Sequence, residues 1–113
     1  MSQITTHVLD TSKGVPAKGI KISLEGIAVT GNWTEIGAGV TDDDGRISDL
    51  LDHDTLLDPG TYRMVFQTDD YFSSLGVTGF YPSVTIVFTT EDTSHYHIPL
   101  LLNPFGYSTY RGS

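Results

Sequence analysis

The sequence predicts an all-β protein, an antiparallel sandwich of two sheets, and three observations carry that expectation. Apolar residues recur at every second position through most of the chain, which is the strand period. Turn clusters such as Asp42-Asp43-Asp44-Gly45 and Asp58-Pro59-Gly60 break the alternation about every 8–12 residues, giving roughly seven or eight short strands. Only one segment carries helix signals. With no internal repeat, linker or low-complexity stretch, residues 1–113 read as a single domain able to bury one core unaided.

Ile4, Thr6 and Val8 alternate with Thr5, His7 and Leu9, and Asp10 begins a polar turn that ends near Gly14 and Pro16. The cleanest strand follows, with Ile20, Ile22 and Leu24 inward and Lys21, Ser23 and Glu25 outward. Gly26 to Gly31 reads as a turn or a bulged strand end. A third strand over residues 33–40 is weakened by Gly37 and Gly39, which belong at an edge or where another backbone comes close. The acidic turn leads into Arg46-Ile47-Ser48, and residues 50–57 read as loop plus a short strand. Beyond Gly60, Tyr62, Met64 and Phe66 alternate with Thr61, Arg63 and Val65. Residues 70–75 are the expected helix, capped by Asp69 or Asp70 and ended by Gly76. Val84, Ile86 and Phe88 mark the next strand. A strand over residues 95–102, a Pro-containing turn and a last strand running towards Ser113 complete the pattern.

Six Lys plus Arg against fourteen Asp plus Glu give a net charge of −8, a surface that repels phosphate backbones and anionic lipid. Nucleic-acid and membrane partners are therefore not expected, and the dispersed acidity serves solubility. The absence of cysteine excludes disulfides and zinc–thiolate sites and suits a reducing compartment. Residues 1–6 show no basic segment followed by an apolar run, and no apolar stretch approaches the ~20 residues of a membrane span. A soluble, cytoplasmic protein is expected.

Strand parity isolates the candidate chemistry. If Tyr96, Ile98 and Leu100 face the core, His95 and His97 face outward, as does His7 if Ile4, Thr6 and Val8 face inward. Should those two strands lie side by side, two or three imidazoles would share an outer face. A single exposed histidine is more often solvated than functional, and His53, in the Asp52-His53-Asp54 loop, is read that way. Three histidines with a His-x-His pair are compatible with zinc, although that spacing is common by chance. Asp42-Asp43-Asp44-Gly45 fails as a calcium loop, because Val40 and Leu51 stand where such a loop needs ligands. Nucleophile elbows and phosphate-binding glycine loops are absent too. Histidines acting as acid and base, with an arginine, are what remain.

Together, His7-Val8-Leu9-Asp10, Gly14-Val15-Pro16-Ala17, Asp43-Asp44-Gly45-Arg46 and the stretch from His97-Ile98-Pro99-Leu100 to Tyr110-Arg111-Gly112-Ser113 resemble the 5-hydroxyisourate hydrolases, the transthyretin-related enzymes of urate breakdown. The resemblance spans essentially the whole chain. Its most specific part is Tyr110-Arg111-Gly112-Ser113, which separates the enzymes from hormone-carrying transthyretins. Asn103 and Ser83 depart from the usual residues, outside those motifs.

The resemblance implies a transthyretin-like sandwich of two four-stranded sheets with one short helix, assembled as a homotetramer with active sites at the subunit interface. It implies hydrolysis of 5-hydroxyisourate to 2-oxo-4-hydroxy-4-carboxy-5-ureidoimidazoline, without cofactor or metal. His7, Arg46, His97 and Ser113 would be catalytic, and His7, Arg46 and Tyr110 would hold the substrate. His95 lies outside the carried motif. The alternative is a non-catalytic small-molecule carrier of the transthyretin type using the same channel.

Overall fold

Residues 2–113 are described by a computed structural model. In chain order the elements are β1 (Ile4–Asp10), β2 (Val15–Pro16), β3 (Lys21–Ile27), β4 (Trp33–Val40), β5 (Arg46–Ile47), β6 (Gly60–Phe66), α1 (Thr68–Ser74), β7 (Val84–Thr90), β8 (Tyr96–Asn103) and β9 (Gly106–Thr109). They form two sheets. One has the order β2-β1-β8-β9 with β5 also pairing β1, and the other has the order β4-β3-β6-β7.

Alternation puts the expected residues between the sheets. Ile4 and Val8 from β1, Leu24 from β3, Met64 and Phe66 from β6 and Leu100 from β8 are all fully buried. Burial at this level is worth roughly 1.5–3 kcal/mol for each large side chain, which makes the facing of each strand hard to reverse. Two polar residues on the inward face of β1 are satisfied locally. Thr6 Oγ1 donates to the Ile98 carbonyl at 2.7 Å, and Asp10 accepts from the Tyr71 hydroxyl at 2.7 Å. That second bond fastens α1 to the first sheet.

The sandwich is as expected, with local differences. One pairing is parallel: β1 and β8 run in the same direction, while the other ladders are antiparallel. No tight turn joins these two strands; the chain passes through the whole second sheet between them, so nothing forces a reversal of direction. The first sheet has five strands rather than four, because the residues read as the end of a polar turn form the two-residue β2. No strand forms over residues 50–57. Leu50 and Leu51 are instead core plugs, 3% and 5% exposed, and side chains satisfy two of this segment's amides. Leu51 N–H donates to Ser2 Oγ at 3.1 Å and Leu57 N–H to Gln3 Oε1 at 2.8 Å.

The reading holds on both counts for Gly37, whereas a Cβ on Gly39 would meet the Ile47 side chain rather than backbone. β4 is an edge strand, and a Cβ on Gly37 would lie 2.1 Å from the Leu50 carbonyl oxygen. The helix begins at Thr68, earlier than expected, because burial of Thr68, Tyr71 and Phe72 selects its start rather than an aspartate cap. Asp69 and Asp70 occupy its first turn, where the helix end attracts negative charge. Gly76, at φ 70°, ends it: its N–H bonds the Ser73 carbonyl and the Val77 N–H reaches back to Phe72. Among the described residues no helix is long and apolar enough to cross a membrane.

Candidate active site

Register decides which outward side chains meet. The parallel β1–β8 ladder sets Thr5 opposite His97, and the antiparallel β1–β5 pairing sets His7 opposite Arg46. Opposite residues share a face, so three adjacent strands present Arg46, Thr5, His7 and His97 on the outer side of the first sheet.

Arg46 owes its place to the acidic turn. Asp42 Oδ1 accepts from the Asp44 N–H at 2.9 Å and the Arg46 N–H at 3.0 Å, while the Asp42 N–H donates to the Arg46 carbonyl at 2.9 Å. Gly45 adopts φ 73° at the tip, and its carbonyl accepts from the Val8 N–H at 2.8 Å. A Cβ there would meet the Val8 carbonyl oxygen at 2.4 Å, so the close docking of the turn on β1 requires glycine.

The last residues are placed by a second interruption. Continued past Thr109, the β8–β9 register brings Pro99 opposite Tyr110 and His97 opposite Gly112. Pro99 has no N–H to offer, so the ladder expected to run on stops at Thr109 and resumes only where the Gly112 N–H donates to the His97 carbonyl at 2.9 Å. A Cβ on Gly112 would stand 2.6 Å from His97 Cδ2. The backbone thus lies flush against the imidazole, and Ser113 is delivered beside it.

The result is a cavity of about 260 Å³ lined by Thr5, Arg46, Ser48, His95, His97 and Ser113 among others. His7 flanks it, near enough to Arg46 for the guanidinium charge to be felt. Tyr110 is turned elsewhere. It is 60% exposed and lines a separate, larger and mostly apolar cavity of about 380 Å³ that His97 also lines. Arg111 does more than solvate the end of the chain, since its guanidinium lies over the Tyr96 ring at 4.9 Å. His53 is exposed in its loop and lines neither cavity. The smaller cavity is the better candidate for chemistry, because charge and proton-transfer groups converge there.

Burial, then the Arg46 charge, pushes the His7 pKa below its ordinary value, against the Asp44 carbonyl and the Asp44 and Asp42 carboxylates, which pull it up. Burial likewise lowers His97, followed by the charges of Arg46, His95 and His7. Both imidazoles are therefore neutral near pH 7 and ready to accept a proton. Arg46 makes no ion pair among the described residues, so its charge is free for a ligand.

One neighbour escaped the motif-based reading. Thr5 Oγ1 lies 2.7 Å from His95 Nε2 and 2.8 Å from His97 Nδ1. The available signal was parity alone: Thr5 shares the outward set with His7. A threonine on a strand surface is too ordinary for that to single it out.

Residues 4–112 match the family model described as HIUase/Transthyretin family. A probable 5-hydroxyisourate hydrolase of Caenorhabditis elegans is 50% identical over 99% of this chain and 82% of its own length. Among solved structures, sea bream transthyretin in complex with thyroxine superposes with a TM-score of 0.92 at 33% identity, covering 98% of this chain and 95% of its own. Klebsiella pneumoniae 5-hydroxyisourate hydrolase gives a TM-score of 0.84 at 34% identity, with 97% and 98% covered. Backbone shape therefore does not separate enzyme from carrier. On the whole-length match and these relatives, this chain belongs to the HIUase/transthyretin family.

Proposed function

We propose that this protein hydrolyses 5-hydroxyisourate, opening its six-membered ring at a cyclic amide. The observation that carries the reading is an arginine with no counter-ion set in register beside two histidines held neutral. A thyroxine-type carrier needs neither an unpaired guanidinium nor lowered imidazole pKa values. The names of close relatives point the same way.

Each residue has a part in the reaction. A neutral imidazole, His7 or His97, takes a proton from water as the oxygen attacks the amide carbon. Arg46 holds the carbonyl oxygen in its fork as negative charge develops there. The carbon–nitrogen bond then breaks, and the imidazolium returns its proton to the departing nitrogen. Ser113 hydrogen-bonds the ring inside the cavity. Tyr110, facing the neighbouring cavity in a single chain, is assigned to substrate contact through the assembly.

That assembly is a homotetramer with sites at the subunit interface, a reading supported by an active face that lies open on the outside of its sheet. Residues 1–113 are taken as a single domain because both sheets share one core. A cytoplasmic location rests on the cysteine-free composition. The deciding experiment follows the ultraviolet absorbance of freshly made 5-hydroxyisourate with and without protein. Faster decay is expected, and an unchanged rate, with ligand retained on the protein, would select the carrier. Light scattering is expected to give a tetramer mass, and an active monomer would contradict the interface site.

A further inference from the structure

His95 lies outside the residues assigned above, yet it shares a hydrogen-bond partner with His97. Thr5 Oγ1 is 2.7 Å from His95 Nε2 and 2.8 Å from His97 Nδ1, and the two rings stack at 6.3 Å between centroids, 25° apart in plane. A hydroxyl has one proton to donate. Facing two imidazole nitrogens, it donates to one ring and accepts from the other. The backbone holds it there, because the parallel register fixes Thr5 opposite His97.

We propose that Thr5 is a positioning residue that locks the His95 and His97 rings into the same tautomer whenever neither is protonated, and so decides whether His97 is a base or a hydrogen-bond donor. This rests on the hydrolase reading for its catalytic consequence. In one state His97 Nδ1–H donates to Thr5, Thr5 donates to His95 Nε2, and His95 carries its proton on Nδ1. His97 Nε2 then keeps a free lone pair for water. In the other state Thr5 donates to His97 Nδ1 and accepts from His95 Nε2–H, so both rings carry the proton on Nε2 and His97 can only donate. Rotation of one hydroxyl, with each ring giving its Nδ1 proton to solvent and taking one from solvent at Nε2, converts base to donor.

The base state suits the reaction. When Nε2 takes the proton from water, the imidazolium keeps Nδ1–H on Thr5, so the hydroxyl need not move. Returning that proton from Nε2 to the departing nitrogen restores the starting state. No proton passes through Thr5 itself. Its part is to orient, as partners of a functional imidazole commonly do.

The test reads tautomers directly. Imidazole ¹⁵N shifts of His95 and His97, recorded at about pH 8 where ordinary histidines are neutral, are expected to report the same tautomer for both rings. Thr5→Val keeps the strand-forming shape and removes the hydroxyl. It is expected to abolish the match and lower kcat about tenfold or more with KM little changed, while Thr5→Ser restores both. Opposite tautomers in the unaltered protein would overturn the proposal, and that arm needs no variant to fold. A match that survives Thr5→Val would overturn it too, as would a tetrameric Thr5→Val with unaltered kcat. If the protein leaves 5-hydroxyisourate intact, the hydrolase reading fails, yet matched tautomers that Thr5→Val uncouples still uphold the lock.

Discussion

Two arginines, one on the outer face of each sheet, are used in opposite ways. Arg63 on β6 stands opposite Glu25 on β3, bonds its carboxylate through Nε, and lies over the Trp33 ring at 4.4 Å. Its charge is consumed by neighbours on two strands, β3 and β4. Arg46 on β5 has no carboxylate partner among the described residues, although Asp42, Asp43 and Asp44 lie just before it, separated only by Gly45. Asp42 is turned inward onto backbone amides, and Asp43 pairs with Lys18 at 2.8 Å. The turn thus places three carboxylates beside an arginine without neutralising it. What remains is a cation whose field is felt by His7 and His97. Arg63 is held by its partners, whereas Arg46 keeps its charge available, as the proposed reaction requires.

The contrast breaks most sharply by substitution. Arg46→Ala should lower kcat about a hundredfold or more, roughly 3–4 kcal/mol of transition-state stabilisation, with Arg46→Lys recovering only part of it. Steady-state kinetics on variants confirmed as tetramers checks this, and a tetrameric Arg46→Ala with normal turnover would end the assignment. His7→Ala and His97→Ala should each cost about a hundredfold if proton transfer runs through them, whereas His53→Ala should leave turnover alone.

Smaller effects sharpen the same contrast. Gly112→Ala should cost about tenfold in kcat with little change in melting temperature, because its Cβ, 2.6 Å from His97 Cδ2, pushes the ring off line without opening the core. The pH profile tests the field of Arg46. Because both histidine pKa values are lowered, the acid limb of kcat/KM should fall below the ordinary ~6.5, and residual activity of Arg46→Ala should lose its acid limb at a higher pH. Stability follows the same sign: the unfolded chain binds protons first as pH drops, so these two residues contribute stability above ~6.5 that is lost as pH falls through the lowered folded values. Arg63→Met should leave kcat unchanged and lower stability by about 1–2 kcal/mol, because the part-buried Glu25 carboxylate loses its partner and the Trp33 ring its cation.

Much of this was legible in the residues. Alternation predicted both sheets and the inward set, and parity put His7, His95 and His97 on an outer face before any strand order was known. Gly37 announced a close backbone. What stayed hidden was pairing between distant segments. No local pattern says that β1 and β8 run parallel, and the meeting of Thr5 with His97 depends entirely on that register. The early end of β9 was written in Pro99, but only the register shows that its missing N–H falls opposite Tyr110. Tyr110 itself illustrates a further gap, since a motif names a residue without saying which cavity a single chain turns it towards.

The parallel pairing of β1 with β8 also sets a timetable. Thr5 and His97 are separated by 92 residues, so during synthesis β1 waits that long for its parallel partner to be made. At roughly 5–20 residues per second that interval is on the order of 5–20 s, during which β1 offers an unpaired edge. Closing so long a loop also makes the pairing a slow, late event in refolding. Appearance of hydrolytic activity should therefore lag behind formation of the β4-β3-β6-β7 sheet, whose paired strands lie closer in sequence than β1 and β8 do. The nascent chain is most exposed to misassembly in that interval.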